Sequence, residues 1–385
     1  MTRPLRIAQV APPLERVPPR AYGGTERVVY ELVRELTRRG HEVTTFASGD
    51  SEVPGRHIAT VPEALRPIGY KGDPLPYFVG TMAMLQDHLA EFDVVHSHLE
   101  WSSLLLTRTL PMPLVATFHG RLDLPWAADL LRGAPPQGLV AISRNQASMH
   151  PDVRWTVIHN GLDLTASPFE RRRGDALCFV GRIAAEKGPV EAIEIAARAG
   201  RPLRMAAKIG PTGPEREYYD DVFKPALAVA GSDVEYLGEL DQPERDALFA
   251  ESYAALMPGS WPEPFGLVAI EALACGTPVI ARRVGALPEI IRDGIDGFFG
   301  DDVDQMAFRL SGVEDLDREA VRASVLDRFS AIRMTDGYEA LYRSMLAGAS
   351  GAPEDETAGR ITPLSAARSA GASGAAARQA IGSGR

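Results

Sequence analysis

The sequence predicts an α/β fold of two doubly wound, Rossmann-like parallel-sheet domains, on three observations. Short apolar strand-like runs alternate with helical patterns from Leu5 to Gly161. The alternation breaks around Leu164 to Asp175, where Pro168 and the run Arg171-Arg172-Arg173-Gly174 read as a linker, and it restarts at Ala176. A length of 385 residues suits two to three domains.

In the first half, Leu5 to Val10 is a buried-type strand, followed by a Pro-rich loop from Ala11 to Ala21. Gly23-Gly24-Thr25-Glu26 then opens a helix that carries Val28, Val29, Leu32, Val33 and Leu36 as far as Gly40. Paired glycines there let a phosphate approach the backbone, and they equally make a plain turn. A strand at Glu42 to Ala47 precedes a variable Pro/Gly-rich region, Ser48 to Pro76, and a helix over Val79 to Glu91. Strands Phe92 to His98 and Leu114 to Phe118 run into His98 and His119-Gly120, and Leu139 to Ser143 and Thr156 to Gly161 complete the set. Parallel strands open their C-terminal ends onto one edge, so His98 and His119 share that edge with Gly23 and Gly24. His96 and His98 lie on the same side of their strand. No Cys or third ligand is spaced near them, which favours a polar pocket over a metal site.

In the second half, Ala176 to Val180 is a strand leading into a loop, Gly181-Arg182-Ile183-Ala184-Ala185-Glu186-Lys187-Gly188. Arg182 as a fork and Lys187 as a point charge suit a diphosphate, or else form a solvated charged loop. A helix at Val190 to Ala199, a strand at Leu203 to Ala207, a helix at Tyr218 to Ala230, a strand at Val234 to Leu237 and a helix at Pro243 to Ala250 follow. The strand Ala254 to Met257 feeds the densest stretch, Trp261 to Ile280. Glu263 lies in its loop, a helix starts near Gly266, and Gly276-Thr277-Pro278 stops it. The free amides of Gly266, Leu267 and Val268 at that helix N-terminus form a phosphate site. Glu271, among Ala, Ile and Leu, needs a partner: the vicinal hydroxyls of a ribose, or a neighbouring Arg. A short helix runs from Leu287 to Asp293, and Asp302-Val303-Asp304 and Asp315-Leu316-Asp317 read as solvated surface rather than a metal-nucleotide motif.

Forty-one basic residues face 51 acidic ones, a net charge of −10. The first 160 residues hold 16 of each sign, so the whole excess lies in the second part. That argues against nucleic acid as a partner. No apolar run reaches the roughly 20 residues that span a bilayer, and no signal-peptide core precedes the first strand, so a cytoplasmic protein is expected. Cys178 and Cys275, in apolar small-residue contexts, suit reduced core thiols.

Taken together, Gly23-Gly24-x-Glu26, Thr117-Phe118-His119-Gly120, His159-Asn160-Gly161-Leu162-Asp163, Gly181-Arg182-Ile183 with Glu186-Lys187-Gly188, and Glu263-Pro-Phe-Gly-Leu with Glu271-Ala-Leu-Ala-Cys-Gly-Thr-Pro-Val resemble glycosyltransferase family 4. The resemblance runs from about residue 5 to residue 346. It implies a GT-B fold, two Rossmann-like domains facing across a cleft, and retaining transfer from a nucleotide-sugar without metal or cofactor. It further implies an acceptor-side domain over 1–165, a nucleotide-sugar domain over 166–330 and a helix over 331–346 that crosses back to the first domain. The Gly/Ser/Ala-rich 347–385 is expected to be a disordered tail.

By the same resemblance, Glu271 holds the ribose hydroxyls. Arg182 and Lys187 hold the diphosphate with the amides of Gly24, Leu267 and Val268, beside Gly23. Glu263 and the amides of Phe265 and Gly266 hold the donor sugar, and His119 orients it. Trp261 is expected to shape the sugar pocket and Lys208 to touch the nucleotide. A hexose, UDP-glucose favoured, moving to an unidentified hydroxyl acceptor is the leading expectation. A sugar-nucleotide epimerase of the same fold and a non-catalytic nucleotide-sugar-binding protein are the alternatives.

Overall fold

The computed structural model describes residues 3–20, 23–134, 138–210 and 212–349. Expectations placed on Ala21 and on the tail beyond Ala349 fall outside the described residues.

Strands β1 (Arg6–Val10), β2 (Glu42–Ala47), β3 (Arg56–Ala59), β4 (Val94–Ser97), β5 (Leu114–Phe118), β6 (Leu139–Ala141) and β7 (Thr156–Val157) form one parallel sheet. Their spatial order is β3-β2-β1-β4-β5-β6-β7. Ile7 to Val10 have no exposure at all, as expected of a parallel strand covered on both faces. Helix α1 (Gly24–Arg38) covers one face with Val28, Val29, Leu32, Val33 and Leu36, the stripe its spacing predicts. The strand order reverses between β1 and β4, and the crevice at that switch point receives the ends of β1, β4 and β5.

The second sheet comprises β8 (Leu177–Ile183), β9 (Leu203–Ile209), β10 (Val234–Gly238), β11 (Ala255–Met257), β12 (Val279–Ala281) and β13 (Gly297–Phe299), in the order β10-β9-β8-β11-β12-β13. Its switch point lies between β8 and β11. Cys178 and Cys275 are free and buried in its core, and burial pushes the Cys178 thiol up to about 12.

Several sequence expectations need correction. Arg182 belongs to strand β8 rather than to the loop after it, because β9 runs equally far and the ladder continues through Arg182 opposite Lys208. The Ser48 to Pro76 region contains edge strand β3, too short and polar to show a strand period. Helix α2 (Leu75–Gln86) starts and ends earlier than Val79 to Glu91: the Asp73 carboxylate accepts the Leu75 N–H at 2.9 Å, and residues 89–91 form a separate turn. The helix expected from Tyr218 begins at Gly213, behind a Thr212/Glu215 capping box. It passes through a π-turn, Tyr219–Phe223, just ahead of Pro225, whose missing N–H interrupts the ladder. Asp302 and Asp317 are helix N-caps, accepting from the amides of Gln305 and Glu319 at 2.8 and 2.9 Å.

The last helix among the described residues, Ala331–Ala349, runs three residues past the expected end at 346. It returns to the first domain, where Met334, Tyr338 and Tyr342 join the core beneath α1. The two interdomain connections run side by side: Leu162 N–H donates to the Phe329 carbonyl and Ala331 N–H to the Leu162 carbonyl, both at 3.0 Å. Gly161 is needed there, since a Cβ would lie 2.2 Å from the Ser330 carbonyl oxygen.

Candidate active site

The facing strand edges enclose a cleft of about 1230 Å³. Every site residue expected from the sequence borders it. Gly23, Gly24 and His119 lie on the first-domain wall, and Arg182, Lys187, Glu263, Phe265, Gly266, Leu267, Val268 and Glu271 on the other. Trp261 and Lys208 line it as well.

The second-domain wall is built around the helix Leu267–Ala274. Gly266 caps its N-terminus at φ +108°, a left-handed conformation that favours glycine, and a Cβ there would sit 2.9 Å from Leu287 Cδ2. The amides of Leu267 and Val268 precede the first i−4 acceptor of the helix and, with no hydrogen-bond partner among the described residues, can bind an anion. Glu263 is fixed through its backbone: its N–H donates to the Trp261 carbonyl at 2.8 Å, and its carbonyl accepts from Ala286 at 2.9 Å. The Trp261 ring lies beneath the Arg121 guanidinium, 4.9 Å from its centroid, and 5.6 Å from the Lys187 ammonium.

The charged groups of this wall are paired, all but one of those below within the wall. Lys187 pairs with Glu263. Arg182 pairs with Glu215, and with Glu186 at 3.1 Å. Lys208 lies 3.4 Å from Glu239. Glu271, only 4% exposed, pairs across the cleft with Arg27 from the first turn of α1, with Arg245 3.8 Å away. Of the two partners the sequence left open for Glu271, the structure contains the arginine. Burial and the nearby Glu271 charge raise the Asp246 carboxyl to about 6.

On the first-domain wall, β5 delivers His119 with its backbone N–H donating to Glu100 Oε1 at 3.0 Å. Burial pushes the Glu100 carboxyl up to about 7 and brings the His119 imidazole down to about 3, so His119 is neutral at physiological pH. His119 Nε2 lies 2.9 Å from Nδ1 of His98. His96 and His98 form hydrogen-bonded pairs with side chains of the first domain and the crossing helix, in keeping with a polar pocket. Glu26 is buried beside the two glycines, its carboxyl raised by that burial to about 7.

Arg27, Glu100 and Glu215 were not singled out from the sequence. Arg27 had a signal, since it follows the Gly23-Gly24 turn at the helix start. Glu100 had none: it takes its place through a left-handed backbone, φ +53°, which no side-chain pattern announces.

The Glycosyltransferase Family 4 profile matches residues 22–166, and that of Glycosyl transferases group 1 matches residues 166–313. A D-inositol 3-phosphate glycosyltransferase from Mycolicibacterium paratuberculosis is 30% identical over 410 residues, covering 89% of this chain and 91% of its own. A glycogen synthase from Mycobacterium tuberculosis is 30% identical over 336 residues, covering 73% and 79%. Among solved structures, AviGT4, a glycosyltransferase involved in avilamycin A biosynthesis, superposes with a TM-score of 0.66 at 25% identity, covering 90% of this chain and 99% of its own. With two facing parallel-sheet domains and these relatives along most of its length, the chain belongs to glycosyltransferase family 4 and is a GT-B glycosyltransferase.

Proposed function

We propose that the chain transfers a hexose, from UDP-glucose or a similar nucleotide-sugar, to a hydroxyl acceptor with retention and without a metal ion. The observation that carries this reading is the convergence on one cleft of two cations, Arg182 and Lys187, a helix N-terminus at Leu267 and Val268, and His119 on the opposite wall.

In this reading the donor diphosphate takes the place of the Glu215 and Glu263 carboxylates against Arg182 and Lys187, and the free amides supply further donors. Glu271 turns from Arg27 to the ribose hydroxyls, and Glu263, released by Lys187, accepts from the sugar. The acceptor hydroxyl attacks the anomeric carbon on the face from which the diphosphate leaves. As the carbon–oxygen bond to phosphate breaks, a phosphate oxygen takes the acceptor proton. The cationic wall accelerates this step by stabilising the charge that develops on the leaving group. The curated relatives are named for a small phosphorylated polyol and for a polysaccharide, so their names do not converge on one acceptor.

The test is incubation with UDP-, GDP- and ADP-sugars in the presence and absence of a cell extract. Nucleotide release that depends on the extract supports transfer. A new sugar-nucleotide formed without release supports epimerisation, and tight binding without turnover supports a binding protein; either result overturns the proposal.

A further inference from the structure

Behind His119 runs a line of fully buried polar groups outside the donor wall. His98 Nε2 lies 3.0 Å from the Gln9 side-chain oxygen, and the Gln9 amide nitrogen lies 3.1 Å from the Tyr342 hydroxyl. That hydroxyl lies 2.7 Å from His96 Nδ1, His96 Nε2 lies 2.8 Å from Thr117 Oγ1, and Thr117 Oγ1 lies 3.0 Å from the Tyr338 hydroxyl. Gln9, His96, His98, Thr117, Tyr338 and Tyr342 have no exposed surface. Burial holds His96 and His98 well below the ordinary imidazole range, and His119 with them. Each ring therefore carries one N–H and one bare nitrogen, so the orientation of the Gln9 amide is passed through His98 to His119.

The orientation of the Gln9 amide sets the direction of these bonds. The Gln9 amide nitrogen donates to the Tyr342 hydroxyl, whose own O–H can then donate to His96 Nδ1, and the Gln9 side-chain oxygen faces His98 Nε2. Gln9 thus turns its nitrogen to Tyr342 and its oxygen to His98. His98 donates through Nε2 and accepts at Nδ1, which makes His119 the donor through its own Nε2. His119 Nδ1 is left with its lone pair, has no protein hydrogen-bond partner among the described residues, and belongs to a residue that lines the cleft.

We propose that Gln9, His98 and Tyr342 are positioning residues that fix His119 as its Nε2–H tautomer, so that Nδ1 accepts a hydrogen bond from a hydroxyl of the transferred sugar. The proposal rests on the glycosyl-transfer reading and narrows it. It selects a neutral hexose with a hydroxyl at that place over a uronic acid, whose carboxylate would meet a lone pair rather than a donor.

Nitrogen NMR of the full chain labelled at histidine tests the assignment without any ligand, with the His119 signals identified by their loss in His119→Gln. The expected result is a single His119 tautomer protonated at Nε2, joined by a second tautomer in Tyr342→Phe, which frees the Gln9 amide to turn over. A protonated Nδ1, or two exchanging tautomers in the unmodified chain, overturns the proposal. With UDP-glucose as donor, Tyr342→Phe and Gln9→Leu are expected to lower kcat about tenfold, the effect of one misdirected hydrogen bond, while Kd for UDP stays within about twofold. A role in packing alone would move the melting temperature of these variants and leave both the tautomer and kcat in place, which also overturns it. Failure of the underlying reading looks different: no nucleotide is released from any nucleotide-sugar by the unmodified chain, while the NMR result still decides the tautomer.

Discussion

Replacing Arg27 by methionine is expected to destabilise the protein far more than replacing its partner Glu271 by glutamine. The two members of the pair are not equally placed: the Glu271 side chain is 4% exposed and that of Arg27 20%. Arg27→Met leaves a buried carboxylate whose remaining neighbours are Arg245 at 3.8 Å, Gln242 at 3.5 Å and the acidic Asp246. Breaking a buried pair from one side costs about 3 to 5 kcal/mol in general, and the surviving Arg245 and Gln242 contacts bring the expectation here to about 2 to 3 kcal/mol. Glu271→Gln removes the buried charge itself and leaves an arginine that reaches water, at a cost below about 1 kcal/mol. The double variant, Arg27→Met with Glu271→Gln, is then expected to be more stable than Arg27→Met alone by about 1 to 2 kcal/mol. Equilibrium urea unfolding of the four proteins measures this, with a probe in each domain because the pair bridges both. Equal losses from the two single substitutions, or a double variant no better than Arg27→Met, would refute the reasoning.

Other expectations follow from the same site. The Glu26 carboxyl is raised by burial from 4.5 to about 7, so the folded state holds the extra proton in that window and stability falls as pH rises through it. Glu26→Gln should therefore match the unmodified protein at pH 4 and exceed it by up to about 3 kcal/mol at pH 8; a pH-independent difference in melting would count against this. Arg182→Ala and Lys187→Ala should each lower kcat for nucleotide release by about 10²- to 10³-fold, and a change confined to KM would assign them to uniform binding instead. Gly266→Ala must place a Cβ at φ +108° and 2.9 Å from Leu287 Cδ2. A loss of about 1 to 3 kcal/mol and weaker UDP binding in calorimetry are expected, and a neutral effect would mean the cap does not set the phosphate site.

Much of this arrangement was legible in the sequence, because it depends on backbone punctuation. Gly23-Gly24 and Gly266 mark places where the chain approaches itself or a ligand, and the strand-end histidines followed from parallel topology alone. What stayed hidden depends on geometry between distant segments. Arg27 meets Glu271 only once two domains face each other, and Gln9 reads as one more residue of a buried strand until Tyr342 arrives beside it, 333 positions later. Strand lengths were also underestimated, as with Arg182, because a ladder extends as far as its neighbour does rather than as far as apolar residues do. Glu271 shows the limit of pattern reasoning: the need for a partner was plain from its apolar helix, but which partner it takes was not.

The crossing helix also bears on the order in which the protein is completed during synthesis. Met334, Tyr338 and Tyr342 belong to the same core as Ile7, Val28 and Leu32, so the domain that leaves the ribosome first lacks part of its interior until the crossing helix emerges. A nascent chain halted at Ser330 is expected to present a protease-sensitive first domain beside a resistant second one. The half of the molecule begun first is the half finished last.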